Sequence, residues 1–165
     1  MIVKIDMANA FDRVNLGLLA TVLQRFGFSK NEIDIIKACI VGPWIAPLVN
    51  GIPSEYFQSS TGLHQGCPLS PFLYIIMVDS LSRNLEKCRQ DRTITGFSIS
   101  MEVKSINHSL FGDDTLVMGG ASCIMARRIK KLLNSFREAF GGLLNNKKCR
   151  IFSWNTRPRT LQKIS

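Results

Sequence analysis

Three aspartates end or interrupt apolar stretches of this 165-residue chain, and their side chains could hold a metal ion. Asp6 ends the strand-like run at residues 2–5, and Asp113 and Asp114 lie side by side between apolar residues. Burying like charges this close costs on the order of several kcal/mol each unless a cation is present. Mg²⁺ meets this need, because it binds through one or two carboxylates together with substrate phosphates. A second ion nearby would give the two-metal arrangement for phosphoryl transfer. A polar turn at Asp113-Asp114 and a helix N-cap at Asp6 fit the same residues, and that alternative stays open.

Hydrophobic periodicity predicts the elements that position the first aspartate. A strand covers residues 2–6, and helical spacing over residues 8–26 places Phe11 on the apolar face of a first helix. Ser29 and Glu32 form a capping box that starts a second helix, which continues toward Cys39. The chain therefore passes from a strand into two consecutive helices.

Turn and cap signals predict the rest of the chain. Asn50-Gly51 indicates a hairpin within an extended segment at residues 43–58, and Ser70 as N-cap with Pro71 starts a helix over 72–87. We expect a short strand at 97–103, a tight hairpin at 108–118, a basic helix at 122–140 and a last strand at 149–154. Pairing of the first strand with the 108–118 hairpin would bring the three carboxylates together at one end of an α+β sheet.

Composition and charge indicate a globular domain with a polyanionic partner. Hydrophobic residues make up 45% of the chain, which excludes wholesale disorder, and no apolar run approaches the ~20 residues that a membrane span needs. The net charge is +9, and residues 121–165 contain eleven Lys and Arg but a single acid, Glu138. This asymmetry is compatible with nucleic acid as a partner, and a solvated helix face with a loose basic tail fits it equally well. Five widely spaced cysteines form no zinc or disulfide pattern and favour an intracellular location.

Four segments together resemble the reverse transcriptases of non-LTR (LINE-type) retrotransposons. KIDMANAFDRV at residues 4–14 is similar to the first palm motif of that family, and GLHQGCPLSP at 62–71 to its QGxPLSP motif. HSLFGDDTL at 108–116 is similar to its FADDTL motif, and GGLLNNKKC at 141–149 to the motif that follows. The four occur in the family's order over nearly the whole chain, so the resemblance is specific although each motif alone would be weak.

The resemblance implies an α+β polymerase palm, a ferredoxin-like antiparallel sheet backed by helices, with partial fingers elements. It implies DNA synthesis on an RNA template, with a DNA primer and dNTP as further partners and without membrane association. Asp6, Asp113 and Asp114 would hold two Mg²⁺ ions, which Mn²⁺ could replace, and the backbone carbonyl of Met7 would assist. The implied catalytic set also contains Lys148, near the leaving pyrophosphate, where it would neutralise charge or donate a proton.

The resemblance also assigns the nucleotide-binding residues. Phe11 would lie under the incoming sugar and exclude a ribose 2′-OH, and Gln65 and Gly66 would line the nucleotide pocket together with Met7. Judged without the resemblance, Phe11 fits ordinary core packing, Gln65 an ordinary loop amide and Lys148 a solvated lysine. Both interpretations stay open at this stage.

The sequence departs from the family pattern at four positions. Gly112 stands where Ala is usual, His64 where Arg is usual, Cys67 where Asp is usual and Gly142 where Leu is common. The first of these keeps a small residue, the next two remove charge near the pocket, and the last loosens a strand.

The resemblance predicts a reverse transcriptase domain at residues 1–154, and the lack of apolar residues that could anchor it predicts a disordered basic tail at 155–165. The full fingers and the thumb of the family are not recognisable in the chain, so we expect a fragment that is inactive alone, from a parent that is nuclear. A degenerate retrotransposon relic with at most nucleic-acid binding is the alternative. A two-metal phosphatase or nuclease on another fold is less favoured, because it leaves the Gln65-Gly66 loop unexplained.

Overall fold

The computed structural model describes residues 1–58, 61–98, 100, 102–112, 114–145, 147–154 and 156. These form two compact units: unit 1 contains Met1–Ala10 and Val78–Ser165, and unit 2 contains Phe11–Met77. The helices are α1 (Leu16–Arg25), α2 (Lys30–Val41), α3 (Ser70–Gln90) and α4 (Cys123–Phe140). The strands are β1 (Ile2–Ala8), β2 (Trp44–Ile45), β3 (Leu48–Val49), β4 (Ile52–Pro53), β5 (Phe57–Gln58), β6 (His108–Phe111), β7 (Asp114–Met118), β8 (Leu143–Leu144) and β9 (Arg150–Phe152). None of the helices in these described ranges has the length and apolarity needed to span a membrane.

Unit 1 is built on an antiparallel sheet in which β1 is the central strand. β7 pairs with one edge of β1 over five residues, and β6 pairs with the far side of β7. On the other edge of β1, β9 pairs with residues 2–4 and β8 with residues 7–8. The predicted pairing of the first strand with the 108–118 hairpin is therefore confirmed.

One hydrophobic core joins the sheet of unit 1 to its helices. The buried side chains come from β1, β7, the second half of α3 and one face of α4, and they include Ile5, Val117, Leu85, Ile129 and Leu133. The predicted basic helix is confirmed as α4: Ser122 is its N-cap and accepts a hydrogen bond from Met125 N at 3.2 Å. Gly141 ends it in the left-handed conformation at φ 83°, which glycine adopts without steric cost.

A buried polar network fastens α3 to β6 within unit 1. Asn107 is 1% exposed, and its Nδ2 donates to Leu85 O at 2.6 Å and to Ile94 O at 3.2 Å. The His108 ring lies 2.7 Å from both Asn107 Oδ1 and Ser82 Oγ. Because Asn107 Nδ2 already donates twice, its Oδ1 accepts from His108 Nδ1–H, and His108 Nε2 is left to accept from the Ser82 hydroxyl.

Unit 2 contains α1, α2, two small hairpins and the start of α3. α1 packs against α2, and the predicted capping box of Ser29 and Glu32 is present at the start of α2. The predicted hairpin at Asn50-Gly51 is also confirmed, as the pair of β3 with β4. β2 and β5 form the second two-stranded sheet of this unit.

The structure corrects four local predictions. Residues 9–13 form turns, with Asn9 at φ 50°, so the first helix begins at Leu16 and not at residue 8. Ser70 is the first residue of α3 and not its N-cap, and Asp6 lies inside β1, which excludes the N-cap alternative. Among the described residues of the predicted strand at 97–103, the structure has a bridge of Phe97 with Ile106 in place of a strand, and residues 99 and 101 lie outside the described part of the chain. Pairing with β1 produces β8, which the sequence analysis did not predict.

Candidate active site

The register of β1 against β7 places two of the predicted carboxylates opposite each other. Asp6 and Asp114 form the last pair of that ladder, after Ile5 with Thr115. Like charges directly opposite each other on neighbouring strands are unfavourable unless something neutralises them. The sheet therefore concentrates negative charge at this end, as the resemblance implied.

Each of the two carboxylates is partly removed from water and has an ammonium group nearby. Asp6 is only 6% exposed, and its Oδ2 lies 3.6 Å from Lys148 Nζ. Lys4 Nζ donates a 2.8 Å hydrogen bond to Asp114 Oδ2. Asp114 Oδ1 is buried and has no hydrogen-bond partner within the described part of the chain. A buried carboxylate oxygen without a partner carries an unmet need for a cation or a donor.

The turn between β8 and β9 carries Lys148 to this end of the sheet. Asn145 N donates to Asp6 O at 3.0 Å, and Lys148 N donates to Asn145 O at 2.9 Å. The turn is thus hydrogen-bonded to the residue whose carboxylate Lys148 approaches. The Lys148 side chain itself is 66% exposed, which leaves its ammonium free to move.

The hairpin that precedes Asp114 depends on a glycine. Gly112 has φ 59°, a left-handed conformation in which the alanine usual in the family would be strained. No other heavy atom lies near the position of an added Cβ, so the requirement is conformational and not steric. Asp113, the third predicted metal-binding carboxylate, lies outside the described residues.

Met7 follows Asp6 in β1 and pairs with Leu144 of β8. The Met7 side chain is buried, and it explains the departure from the family pattern at position 142. A Cβ added to Gly142 would overlap the end of the Met7 side chain and come within 3.2 Å of Phe140. Glycine at position 142 therefore makes room for Met7, where the leucine common in the family would compete for the same space.

The nucleotide-binding residues predicted in unit 2 lie on a loop and a turn that are hydrogen-bonded to each other. Leu63 N donates to Phe11 O at 2.8 Å, and Gly62 N donates to Val14 O at 3.2 Å. Gly62 has φ 81°, and a Cβ there would overlap the backbone of Asp12. The glycine thus allows the 62–66 loop to lie directly on the turn that contains Phe11.

Phe11 lies in that turn and not on the face of a helix. Its ring stacks on Tyr74 with centroids 4.6 Å apart and an interplanar angle of 19°. Gln65 Nε2 donates to Asp12 Oδ1 at 3.1 Å, and Gly66 has φ 86°. The structure therefore brings Phe11 and the 62–66 loop together, and it fixes the direction of the Phe11 ring by stacking.

The structure also shows the surroundings of Cys67 and His64, the loop residues that depart from the family pattern. Hydrogen bonding from the backbone of Leu69, followed by smaller contributions from Ser70, lowers the pKa of the Cys67 thiol. His64 Nε2 is buried and has no hydrogen-bond partner among the described atoms.

Two residues near the carboxylates were missed by the sequence analysis. Lys4 is one, and the available signal was its position two residues before Asp6, which puts both side chains on the same face of β1. Phe111 is the other: it pairs with Asp114 in the β6–β7 ladder, and it is 85% exposed. An aromatic ring next to the paired aspartates was visible in the sequence, but its exposure was not.

The fold is that of a polymerase palm, and comparison with known proteins identifies the family. Residues 1–161 match the model of the family described as reverse transcriptase (RNA-dependent DNA polymerase). The chain belongs to that family.

The curated relatives point to retrotransposons. The chain is 26% identical over 152 residues to the Pol polyprotein of the retrotransposable element R2 of Popillia japonica, covering 92% of this chain and 24% of the relative. It is 26% identical over 148 residues to the corresponding R2DM polyprotein of Drosophila melanogaster, covering 90% and 13%. An uncharacterised mitochondrial protein of Arabidopsis thaliana, AtMg01250, is 38% identical over 68 residues, covering 41% and 56%. The resemblance to non-LTR retrotransposon reverse transcriptases is confirmed, and the chain spans only part of these relatives.

Solved structures confirm the α+β polymerase palm as the fold. Apo telomerase of Candida tropicalis superposes with a TM-score of 0.71 at 16% identity, covering 95% of this chain and 31% of the telomerase chain. Telomerase of Candida albicans, solved with a fragment of telomeric RNA, gives 0.68 at 15% identity, covering 94% and 27%.

The described carboxylates fit the divalent cations that this family normally uses. Carboxylate oxygens are the ligands that Mg²⁺ prefers, and Asp114 Oδ1 is a buried oxygen that lacks a partner among the described residues. Asp6 and Asp114 would be the ligands from the described part of the chain.

Proposed function

We propose that this chain is the catalytic core of an RNA-directed DNA polymerase that transfers a nucleotide from dNTP to a primer 3′-OH. Asp6, Asp113 and Asp114 hold two Mg²⁺ ions in this proposal, with the Met7 carbonyl as a further ligand. The observation that carries the proposal is the pairing of Asp6 with Asp114 at the end of the β1–β7 ladder, where Asp114 Oδ1 is buried without a partner in the described part of the chain.

The ions, when bound, would activate the attacking hydroxyl and neutralise charge on the phosphates. The chain contributes rigid positioning of their ligands. Asp6 and Asp114 lie on adjacent hydrogen-bonded strands, so their carboxylates keep a defined separation and need little reorganisation when substrate arrives. We infer that Lys148 supplies positive charge or a proton to the leaving pyrophosphate, and its approach to within 3.6 Å of Asp6 Oδ2 supports this role.

Unit 2 supplies the nucleotide contacts in this proposal. Stacking on Tyr74 fixes the Phe11 ring, and a ring held in one direction can exclude a ribose 2′-OH by sterics alone. The hydrogen bond from Gln65 to Asp12 holds the loop that carries Gly66. Gly66 exposes its backbone without a side chain, which suits close approach of a ligand.

An RNA template and a DNA primer are the proposed macromolecular partners. α4 presents Arg127, Arg128, Lys130 and Lys131 to solvent, opposite to its buried apolar face. An open cleft of about 750 Å³ in unit 1 is lined by Arg127, Lys130 and Arg150 among others, and its described lining contains no acidic side chain. Phosphate backbones would satisfy these cations.

Primer extension on an RNA template with Mg²⁺ or Mn²⁺ tests the proposal. Because the chain spans only part of its relatives, the assay has two arms: the chain alone, and a chimera in which it replaces the matching segment of the Popillia japonica R2 polyprotein. We expect extension by the chimera and its loss, by at least about a hundredfold, in Asp6→Asn and Asp113→Asn, since these substitutions remove charged ligands.

Asp79→Asn is the matched control. Asp79 is a carboxylate of α3 that pairs with Arg83 at 2.6 Å, and it has no role in the proposed site. Extension that persists in Asp6→Asn, or that fails in the wild-type chimera, would contradict the proposed catalysis.

Nucleic-acid binding without catalysis is the second candidate function, favoured by the exposed cations of α4 and by the changed residues His64 and Cys67. A binding-only role predicts that Asp113→Ala leaves affinity for primer–template unchanged while no chimera extends a primer. A polymerase predicts that the same substitution abolishes extension.

A further inference from the structure

Among the described residues, Lys4 makes the closest ion pair at the candidate metal site. It lies on β1 two residues before Asp6, and its ammonium is 2.8 Å from Asp114 Oδ2 on β7. The two side chains are each 35% exposed, so the pair is shielded from water more than an ordinary surface pair. The contact links the strand that carries one carboxylate to the side chain of another.

Carboxylates arranged in this way need positive charge even when no divalent ion is bound. Asp6 and Asp114 are opposite each other in the ladder, and their mutual repulsion opposes formation of the β1–β7 pair. Lys4 on Asp114 and Lys148 on Asp6 each place an ammonium against one carboxylate. Of the two, Lys4 is the better held, since Lys148 is 66% exposed and 3.6 Å from its partner oxygen.

The same ammonium must oppose a divalent ion. A metal ion bound through Asp114 would lie within a few ångströms of Lys4 Nζ, because both groups engage the same carboxylate. Two positive charges at that distance repel, and Asp114 Oδ2 can serve the ion fully only if it gives up its hydrogen bond to Lys4.

We propose that Lys4 is a built-in counter-ion of the metal site, which stabilises the metal-free protein through Asp114 and lowers the affinity of the site for divalent ions. The inference rests on the proposed function, because it takes the carboxylates to be metal ligands. Lys4 acts on a bound ion through Asp114, the carboxylate to which its ammonium donates a hydrogen bond. Without Lys4, the site would bind cations tightly, and in the absence of a cation its two carboxylates would repel each other. Lys4 therefore keeps metal binding reversible.

The counter-ion role predicts two effects of opposite sign, which a merely structural role does not. In Lys4→Met, the metal-free protein loses its counter-ion and unfolds at a lower urea concentration. The same variant binds Mn²⁺ more tightly, on the order of tenfold, the effect of removing a unit charge roughly 5 Å from a divalent ion in a water-like dielectric. A residue that only oriented Asp114 would weaken both stability and metal binding when removed.

Titration of Mn²⁺ into the 165-residue chain, followed by the electron paramagnetic resonance signal of the free ion, measures the dissociation constant. Lys104→Met is the matched control, because Lys104 Nζ also lies 2.8 Å from a carboxylate, that of Glu86, away from the site. We expect Lys104→Met to bind Mn²⁺ like the wild type. Lys4→Arg keeps the charge, so it should show no gain in affinity.

The outcomes distinguish failure of the counter-ion role of Lys4 from failure of the proposed metal site. Unchanged or weaker Mn²⁺ binding by Lys4→Met, with wild-type binding intact, would overturn the counter-ion role and leave the metal site standing. Wild-type protein that binds no Mn²⁺ would overturn the metal site itself. Lys4→Gln, which retains a polar side chain, provides the same comparison if circular dichroism shows that Lys4→Met does not fold.

Discussion

Single buried side chains decide how the elements of unit 1 are held together. Asn107 satisfies two backbone carbonyls, one at the end of α3 and one in the segment after it, and accepts a hydrogen bond from His108. Because Asn107 is only 1% exposed, water cannot replace its three hydrogen bonds. The network is local, and it lies apart from the residues proposed for catalysis.

Asn107→Ala should lower the free energy of unfolding by about 2–4 kcal/mol, because it leaves buried acceptors and a donor without partners. Asn84→Ala is the control: Asn84 is an exposed residue of α3, and its replacement should change stability by less than about 0.5 kcal/mol. Urea unfolding followed by circular dichroism measures both. Equal stability of the two variants would show that the network contributes nothing.

His108 should make the stability of the protein depend on pH. Burial lowers the pKa of His108, and the negative charge of Glu86 opposes this only in part. The folded protein therefore keeps the ring neutral at pH values where the unfolded chain already binds a proton. The stabilisation is complete above the ordinary histidine pKa of 6.5, and it is lost as pH falls through the lower value of the folded state.

We accordingly expect the urea midpoint to fall between pH 7.5 and pH 5.5 by more in the wild type than in His108→Gln. The comparison of the two proteins removes the contribution of the carboxylates, which titrate in both. An equal fall in the two proteins would exclude His108 as the source.

At the scale of elements, the 62–66 loop owes its position to backbone contacts. It is hydrogen-bonded to the turn after β1, and Gly62 allows an approach that no residue with a Cβ permits. Positive φ and a close neighbour both act at Gly62, whereas at Gly27 only the positive φ acts, since nothing lies within 4 Å of an added Cβ. Substitutions at these two glycines therefore distinguish the cost of conformational strain from the cost of steric overlap.

Gly27→Ala should cost about 1 kcal/mol of stability, the strain of a left-handed alanine, and Gly62→Ala clearly more, because the Asp12 backbone must also move. Urea unfolding of both variants checks the difference. In the active chimera, Gly62→Ala should also reduce primer extension. A Gly62→Ala variant as stable as Gly27→Ala would show that the loop and the turn are not in contact.

At the scale of the whole molecule, the two units differ in net charge. Unit 2 contains four Lys and Arg and four Asp and Glu, so the entire surplus of +9 lies in unit 1. The same unit carries the candidate metal site and the exposed cations of α4. Electrostatic attraction therefore directs a polyanion to the unit that holds the carboxylates.

Lys130→Glu with Lys131→Glu should weaken binding of a short single-stranded RNA and flatten its salt dependence, with the log–log slope falling by up to about 0.7 for each lost phosphate contact. Fluorescence anisotropy over a range of salt concentrations measures both. Lys30→Glu with Lys37→Glu on α2 makes the same change of charge in unit 2, and little effect is expected there. Similar losses in the two double variants would assign the binding to net charge and not to α4.

The sequence predicted those features that depend on neighbouring residues. The capping box of α2, the Asn50-Gly51 hairpin and the glycine that ends α4 are all present. The first helix was extended too far because the pattern at residues 8–15 is helical, whereas Phe11 and Val14 accept backbone hydrogen bonds from residues 62–63, far along the chain. Strand β8 was missed for a similar reason: two residues carry too little pattern, and pairing with β1 creates the strand.

The sequence by itself determined the family and the carboxylates proposed for catalysis, because four motifs in one order are specific even where each alone is weak. Tertiary structure decided what surrounds them: that Asp6 faces Asp114, that Lys4 and Lys148 approach them, and that Phe11 is stacked on Tyr74. Motifs specify residue types, whereas the register of paired strands determines how far apart those residues lie. The register of β1 against β7, fixed by a buried apolar face shared with α3 and α4, is what brings two aspartates 108 positions apart in the sequence into one site.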